Sequence, residues 1–122
     1  MLSFQAHLKV FLAVAPCDLR RSFSGLWVAA QNQLGEDPKS GALFAFCNRR
    51  RSRIKILYFD GTGVCILSKR LETGTFRWPQ SAGGPGVKIR LAPQALQLLL
   101  DGVDLKDGAR RAWYEQPNGS SQ

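Results

Sequence analysis

Residues 53–71 read RIKILYFDGTGVCILSKRL, two apolar stretches on either side of the turn sequence 60–63. β-Branched and aromatic residues fill both stretches, and the two glycines accept the positive φ values that tight turns need. The segment therefore predicts a β-hairpin. An apolar run over 42–47 precedes it and predicts a buried strand, which a basic turn at 48–52 joins to the hairpin.

Alternating apolar residues predict further strands on both sides of this central segment. Residues 8–14 and 87–91 carry apolar side chains at every second position. A period of two is typical of strands. Because the strands follow one another rather than alternating with helices, we predict an α+β fold with an antiparallel sheet of about four to six strands.

Two helices are predicted beside this sheet. Apolar residues recur at helical spacing over 23–34, with Asp18 as the expected N-cap and Gly35 as the residue that closes the helix. Pro93 begins a shorter helix, because proline suits the first helical position. We expect the longer N-terminal helix and the short C-terminal helix to pack on one face of the sheet.

Length and composition limit the class of protein. A chain of 122 residues suits one domain, and an apolar fraction of 44% excludes a disordered tail. We assign 1–105 to a single domain and 106–122 to a polar, loosely held tail. No apolar run is long enough to cross a membrane. The three cysteines lack paired spacing and indicate reduced thiols in a cytoplasmic protein.

The positive charge is concentrated in the middle of the chain. The net charge is +8, and residues 39–90 alone sum to +9. A segregated excess of this kind indicates a surface for a polyanion such as DNA. The candidate nucleic-acid-binding residues are Arg49, Arg50, Arg51, Arg53, Lys55, Lys69, Arg70, Arg77, Trp78, Lys88 and Arg90. Two alternatives stay open: Trp78 as a core anchor, and the arginine run as a merely solvated turn.

No catalytic, metal-binding or cofactor-binding residues are assigned. Asp18, Asp37 and Asp60 each stand at a position with a conventional role in a turn or cap, and their spacing does not indicate a metal site. His7 is the single imidazole, and no phosphate-binding loop motif is present. We therefore expect a protein that is not an enzyme.

Several motifs occur in an order that resembles a known family. They are D-L-R-R-S-F-x-G-L at 18–26, D-P-x-S-G-x-L-F-x-F at 37–46, N-R-R at 48–50, I-K-I-L-Y-F-D-G-x-G at 54–63 and K-R-L-E-x-G-x-F-x-W-P at 69–79. Together they resemble the TnpB-type accessory protein, the second open reading frame product of the insertion sequence 66 family. The resemblance covers about residues 8–105.

The resemblance implies a bacterial mobile-element protein that assists transposition, while the transposase is a separate product. It carries no catalytic residues over, and it marks Lys69, Arg70, Arg77 and Trp78 as family positions. We expect DNA as a partner, with the transposase or other insertion-sequence products as further partners. The alternative is an adaptor that docks on the transposase without touching DNA, using Trp27, Trp78 or Trp113 as hot spots.

Overall fold

The computed structural model describes residues 8–79 and 86–102. Within them lie five strands, two α-helices and a short 3-10 turn at Pro38–Ser40. The strands and helices are β1 (Val10–Ala13), α1 (Phe23–Asn32), β2 (Leu43–Cys47), β3 (Arg53–Phe59), β4 (Val64–Arg70), β5 (Lys88–Leu91) and α2 (Pro93–Leu100). The α+β class and the number of strands are confirmed. The predicted domain boundary at 105 and the tail 106–122 lie outside the described residues.

The sheet is mixed, so the prediction of an antiparallel sheet is wrong in one pairing. The strand order is β4-β3-β2-β1-β5, and β1 runs parallel to β2, with Val10 opposite Leu43. The other three pairings are antiparallel. α1 lies between β1 and β2 in the chain. Two parallel neighbouring strands need a long crossover connection, and a helix usually provides it.

The two helices cover opposite faces of the sheet, which corrects the expectation that they share one. On the α1 face, Phe44 and Phe46 of β2 pack in one cluster with Leu26 of α1. On the α2 face, Leu43 packs in a second cluster with Leu96 of α2. The physical reason lies in β2, whose five side chains are all apolar and buried. A strand that is apolar on both faces needs cover on both.

α1 begins later than expected, and its N-cap is Ser22 rather than Asp18. The Asp18 carboxylate instead accepts hydrogen bonds from the backbone and side chain of Arg20. Those bonds fold residues 18–21 into a separate turn before the helix, closed by the Arg21 amide donating to the Asp18 carbonyl. The helix also ends earlier than predicted: its last residue is Asn32 and its C-cap is Gln33, so Gly35, with a φ of +66°, lies two residues beyond the cap.

The predicted hairpin is confirmed, and Asp60 organises its turn. One carboxylate oxygen of Asp60 accepts hydrogen bonds from the backbone amides of Thr62 and Gly63 and from the Thr62 hydroxyl. These bonds, first of all that from the Thr62 amide, lower the pKa of Asp60 to about 2. The carboxylate therefore keeps its charge to more acidic pH than a free aspartate, and its bonds close the turn between β3 and β4.

The segment after β4 packs over the α2 face through two buried aromatic rings. Phe76 and Trp78 are 2% and 7% exposed, so both are core anchors. The indole N–H of Trp78 donates to the carbonyl of Ala13 at 2.9 Å, and the Arg51 guanidinium lies 5.9 Å from its ring centroid. Trp78 is therefore buried in the core, and its ring has no exposed face for stacking on a base.

Neither helix in the described residues has the length and apolar character that crossing a membrane requires.

This placement predicts a structural role for Trp78. Trp78→Phe removes the donor to the Ala13 carbonyl and shrinks a buried ring, which should lower the free energy of unfolding by about 2 to 4 kcal/mol. Urea denaturation measures the change. The matched control is Trp27→Phe, at a half-buried ring that meets Phe59 edge-on. It should lower the free energy of unfolding by about 1 kcal/mol or less. Equal, small losses in both variants would contradict the assignment.

Candidate nucleic-acid interface

Parallel pairing of β1 with β2 brings two basic segments together at one edge of the sheet. The carboxyl ends of parallel neighbours point to the same edge, where ligand sites of open sheets often lie. Here the loop 14–22 follows β1 and the turn 48–52 follows β2. The backbone amide of Cys17 donates to the carbonyl of Cys47 at 2.8 Å and fixes the loop beside the turn.

A cavity of about 520 Å³ lies between this loop and this turn. We call it the arginine groove. One wall is the loop segment 16–20, and the other is formed by Asn48, Arg49, Arg50 and Arg53. With Arg20 the groove is lined by four guanidinium groups and one carboxylate, that of Asp18. The balance of charge in the groove is therefore positive.

The turn 48–52 is held by its own hydrogen bonds, so the groove wall is built in advance. The Asn48 side-chain oxygen accepts from the backbone amides of Ser52 and Arg53, and its amide nitrogen donates to the Ser52 hydroxyl. Arg51 takes a φ of 60°, the one non-glycine residue with positive φ among those described. The turn leaves the side chains of Arg49 and Arg50 exposed.

The opposite wall is ordered by an ion pair between neighbours. The Arg20 guanidinium donates from Nε and Nη2 to the two oxygens of Asp18, at 3.0 and 2.9 Å. This hydrogen bonding lowers the pKa of Asp18 to about 2. Asp18 therefore keeps its negative charge to more acidic pH than a free aspartate, and its bidentate pairing with Arg20 places one ion pair at the solvent-exposed wall of the groove.

A second group of cations extends from the groove along the α1 face. Arg53 lies directly opposite Arg70 on the neighbouring strand, and Lys55 is the next residue on the same face. Like charges opposite each other on neighbouring strands destabilise a sheet. Two ion pairs occur in residues 8–79 and 86–102, Arg20 with Asp18 and Lys88 with Glu36, so neither arginine of this cross-strand pair meets an acid there. We call Arg53, Lys55 and Arg70 the basic flank.

The basic flank is joined to the loop before α1. The Lys55 ammonium group donates to the carbonyl of Arg21 at 3.3 Å. Arg21 packs closely on the first turn of α1, where a Cβ atom added to Gly25 would lie 2.8 Å from the Arg21 Cβ. Glycine at position 25 therefore makes room for the Arg21 side chain beside the flank.

Two of the predicted lysines stabilise helix ends instead. Lys69 donates to the carbonyl of Leu100 at the end of α2, at 2.6 Å. Lys88 donates to the carbonyl of Leu34 after α1, at 2.8 Å, and pairs with Glu36. Ammonium groups at helix C-termini bind orphan carbonyls and oppose the negative end of the helix dipole. Both lysines are held in the fold away from the arginine groove.

The remaining predicted residues also lie apart from the groove. Arg51 faces Trp78 on the α2 face, and Arg77 is exposed on the segment after β4, directly before Trp78. Arg90 pairs with Phe11 across β5 and β1. The structure therefore brings together one subset of the predicted residues, namely Arg49, Arg50, Arg53, Lys55 and Arg70.

Sequence reasoning missed two cations, Arg20 and Arg21. Residues 1–38 sum to zero charge, so a count by segment gave them no role. The sequence does contain a signal that could have identified these two arginines. A helix between two apolar strands, here β1 and β2, is typical of a parallel crossover. Such a crossover places the loop after the first strand beside the loop after the second.

The acids do not gather into a metal site. Asp37 accepts from the backbone amide of Lys39 at the 3-10 turn, and Asp18 and Asp60 serve the turns described above. In the part of the chain that the structure describes, no three His, Cys, Asp or Glu side chains come together as metal ligands.

Comparison with known proteins gives a family match over most of the chain. Residues 8–110 match the family described as IS66 Orf2 like protein. An uncharacterized protein of Sinorhizobium fredii, y4hO, is 36% identical over 104 residues, which span 85% of this chain and 88% of that protein. A second uncharacterized protein of the same organism, y4jC, is 33% identical over 104 residues, 85% of this chain and 86% of that protein. No solved structure gives a significant match.

The close approach at Gly25 yields a testable expectation. Replacing a helical glycine with alanine ordinarily stabilises a protein by up to about 1 kcal/mol. We expect Gly25→Ala to give no such gain, because the new methyl group meets Arg21. In the Arg21→Gly background, where the opposing Cβ is absent, the gain should reappear. Urea unfolding of the four proteins in this double-mutant cycle measures the coupling, and additive effects would refute the contact.

Proposed function

The chain belongs to the family of IS66 Orf2 like proteins, and we propose that it acts in transposition as a non-catalytic accessory protein that binds DNA through the arginine groove and the basic flank. Membership of the family makes it an accessory protein of insertion sequences. Family membership does not include the contact with DNA, which we propose from the charges and shape of the arginine groove.

The observation that carries the proposal is the set of cations left without acids at one edge of the sheet. Arg53 and Arg70 face each other across neighbouring strands, with Arg49 and Arg50 exposed beside them. Such repulsion costs stability in the free protein. A bound phosphate backbone would relieve it, because each phosphate neutralises a guanidinium and releases its own counterions.

The placement of the tryptophans, which the adaptor alternative would use as hot spots, supports DNA over that alternative. Trp78, a suggested hot spot for a protein partner, is buried and hydrogen-bonded. Trp27 is half-buried against Phe59, and Trp113 lies outside the described residues. Protein interfaces are typically depleted in charged residues at their centre, whereas this edge of the sheet is dominated by them.

Charge removal at the groove tests this proposal. Arg49→Ala combined with Arg50→Ala removes two exposed cations, and we expect the affinity for duplex DNA to fall at least about tenfold. For a site contacting about five phosphates, the slope of log affinity against log salt should be near −4 to −5 in the natural protein and shallower by about 2 in the variant. Fluorescence anisotropy at several salt concentrations gives both quantities.

The control removes the same charge elsewhere. Lys39 and Arg77 are both exposed and do not line the arginine groove, so Lys39→Ala combined with Arg77→Ala should leave the salt slope nearly unchanged. Equal losses in the two double variants would show that net charge rather than the groove binds DNA. Absence of binding even at low salt, together with co-purification with the transposase after nuclease treatment, would favour the adaptor instead.

A further inference from the structure

We infer that the arginine groove receives an unpaired DNA strand, such as a strand end or an opened stretch, rather than the backbone of an intact duplex. The inference rests on the proposed function and specifies the form of DNA that the groove accepts. Three features of the groove carry it: its shape, the mixed chemistry of its walls and the carboxylate inside it.

The shape is concave and small. A cavity of about 520 Å³ is in the range that holds a ligand the size of one or two nucleotides. A base-paired duplex is a rod too wide to enter it, so a duplex would reach only the exposed arginines at the rim. A single strand is thin enough to place a sugar, a base and their phosphate between the two walls.

The walls combine cations with less polar surface. Arg49, Arg50 and Arg53 form one side, while Pro16 and the half-buried Cys17 stand on the other. Phosphate alone would need only the cations. The less polar wall gains contact when a sugar or the face of a base lies against it, and a guanidinium plane can also cover a base. A duplex hides these base faces in its own stack.

The carboxylate of Asp18 is the third feature. A site built for phosphate alone gains nothing from a negative charge, yet the Asp18 carboxylate, which shapes the turn before α1 through its bonds to Arg20, also lines the groove. Its two oxygens have about four acceptor positions, and Arg20 fills three of them. A donor on the edge of an unpaired base suits the position that is left.

The test compares three fluorescein-labelled DNAs of related sequence at one salt concentration: a blunt duplex, the same duplex with an unpaired overhang, and the single strand. Stacking of one unpaired base raises affinity by about fivefold or more. The overhang and the single strand should therefore bind at least that much more tightly than the blunt duplex. Anisotropy titration of the full chain measures all three.

Filling the groove without changing its charge locates the effect. Pro16→Trp places a large ring at an exposed lining position, and it should lower the affinity for the overhang and the single strand to the affinity for the blunt duplex. Pro16→Phe is a smaller filling variant in case the first does not fold, as thermal unfolding will show. The matched control is Ala15→Trp, at the exposed neighbouring position outside the groove lining, and it should keep the preference.

The outcomes separate this inference from the proposed function. Equal affinity of the natural protein for all three DNAs would overturn the inference and leave DNA binding intact. A preference that survives both filling variants would place the unpaired strand elsewhere and also overturn it. Binding to none of the DNAs would refute the proposed function and the inference together.

Discussion

The parallel pairing of β1 with β2 is the constraint on which the rest of the molecule depends. It requires the chain to cross the sheet through α1, and it places the loop after each strand at the same edge. Two basic segments that are almost thirty residues apart in sequence therefore form one groove. An antiparallel arrangement of the same two strands would direct these segments to opposite edges.

The same fold divides the central cations into two kinds. Lys69 and Lys88 reach helix carbonyls, and Arg51 covers the buried ring of Trp78, so these charges serve the structure. Arg53 and Arg70 are instead placed against each other without an acid in the described part of the chain. Net charge alone does not reveal this division, because it counts a cation that binds a helix carbonyl and a cation that faces another cation alike.

Much of the fold follows from sequence, because its signals are local. The hairpin around Asp60 and the helix start at Pro93 are set by turn and cap chemistry within a few residues. The parallel pairing and the cover on both faces were not predicted, since they depend on which distant segments meet. The fully apolar strand 43–47 held that information, because a strand buried on both faces belongs in the middle of a sheet.

The candidate site was predictable only where its residues are close together in the sequence. Arg49 and Arg50 stand in an obvious basic run, whereas Arg20 enters the groove only through the crossover. An NMR titration of the ¹⁵N-labelled protein with a short DNA duplex carrying an unpaired overhang tests the shared site most directly. We expect the amide signals of 17–20 and 48–53 to shift together with one dissociation constant. Shifts confined to one of these segments, or centred on the helix ends held by Lys69 and Lys88, would contradict it.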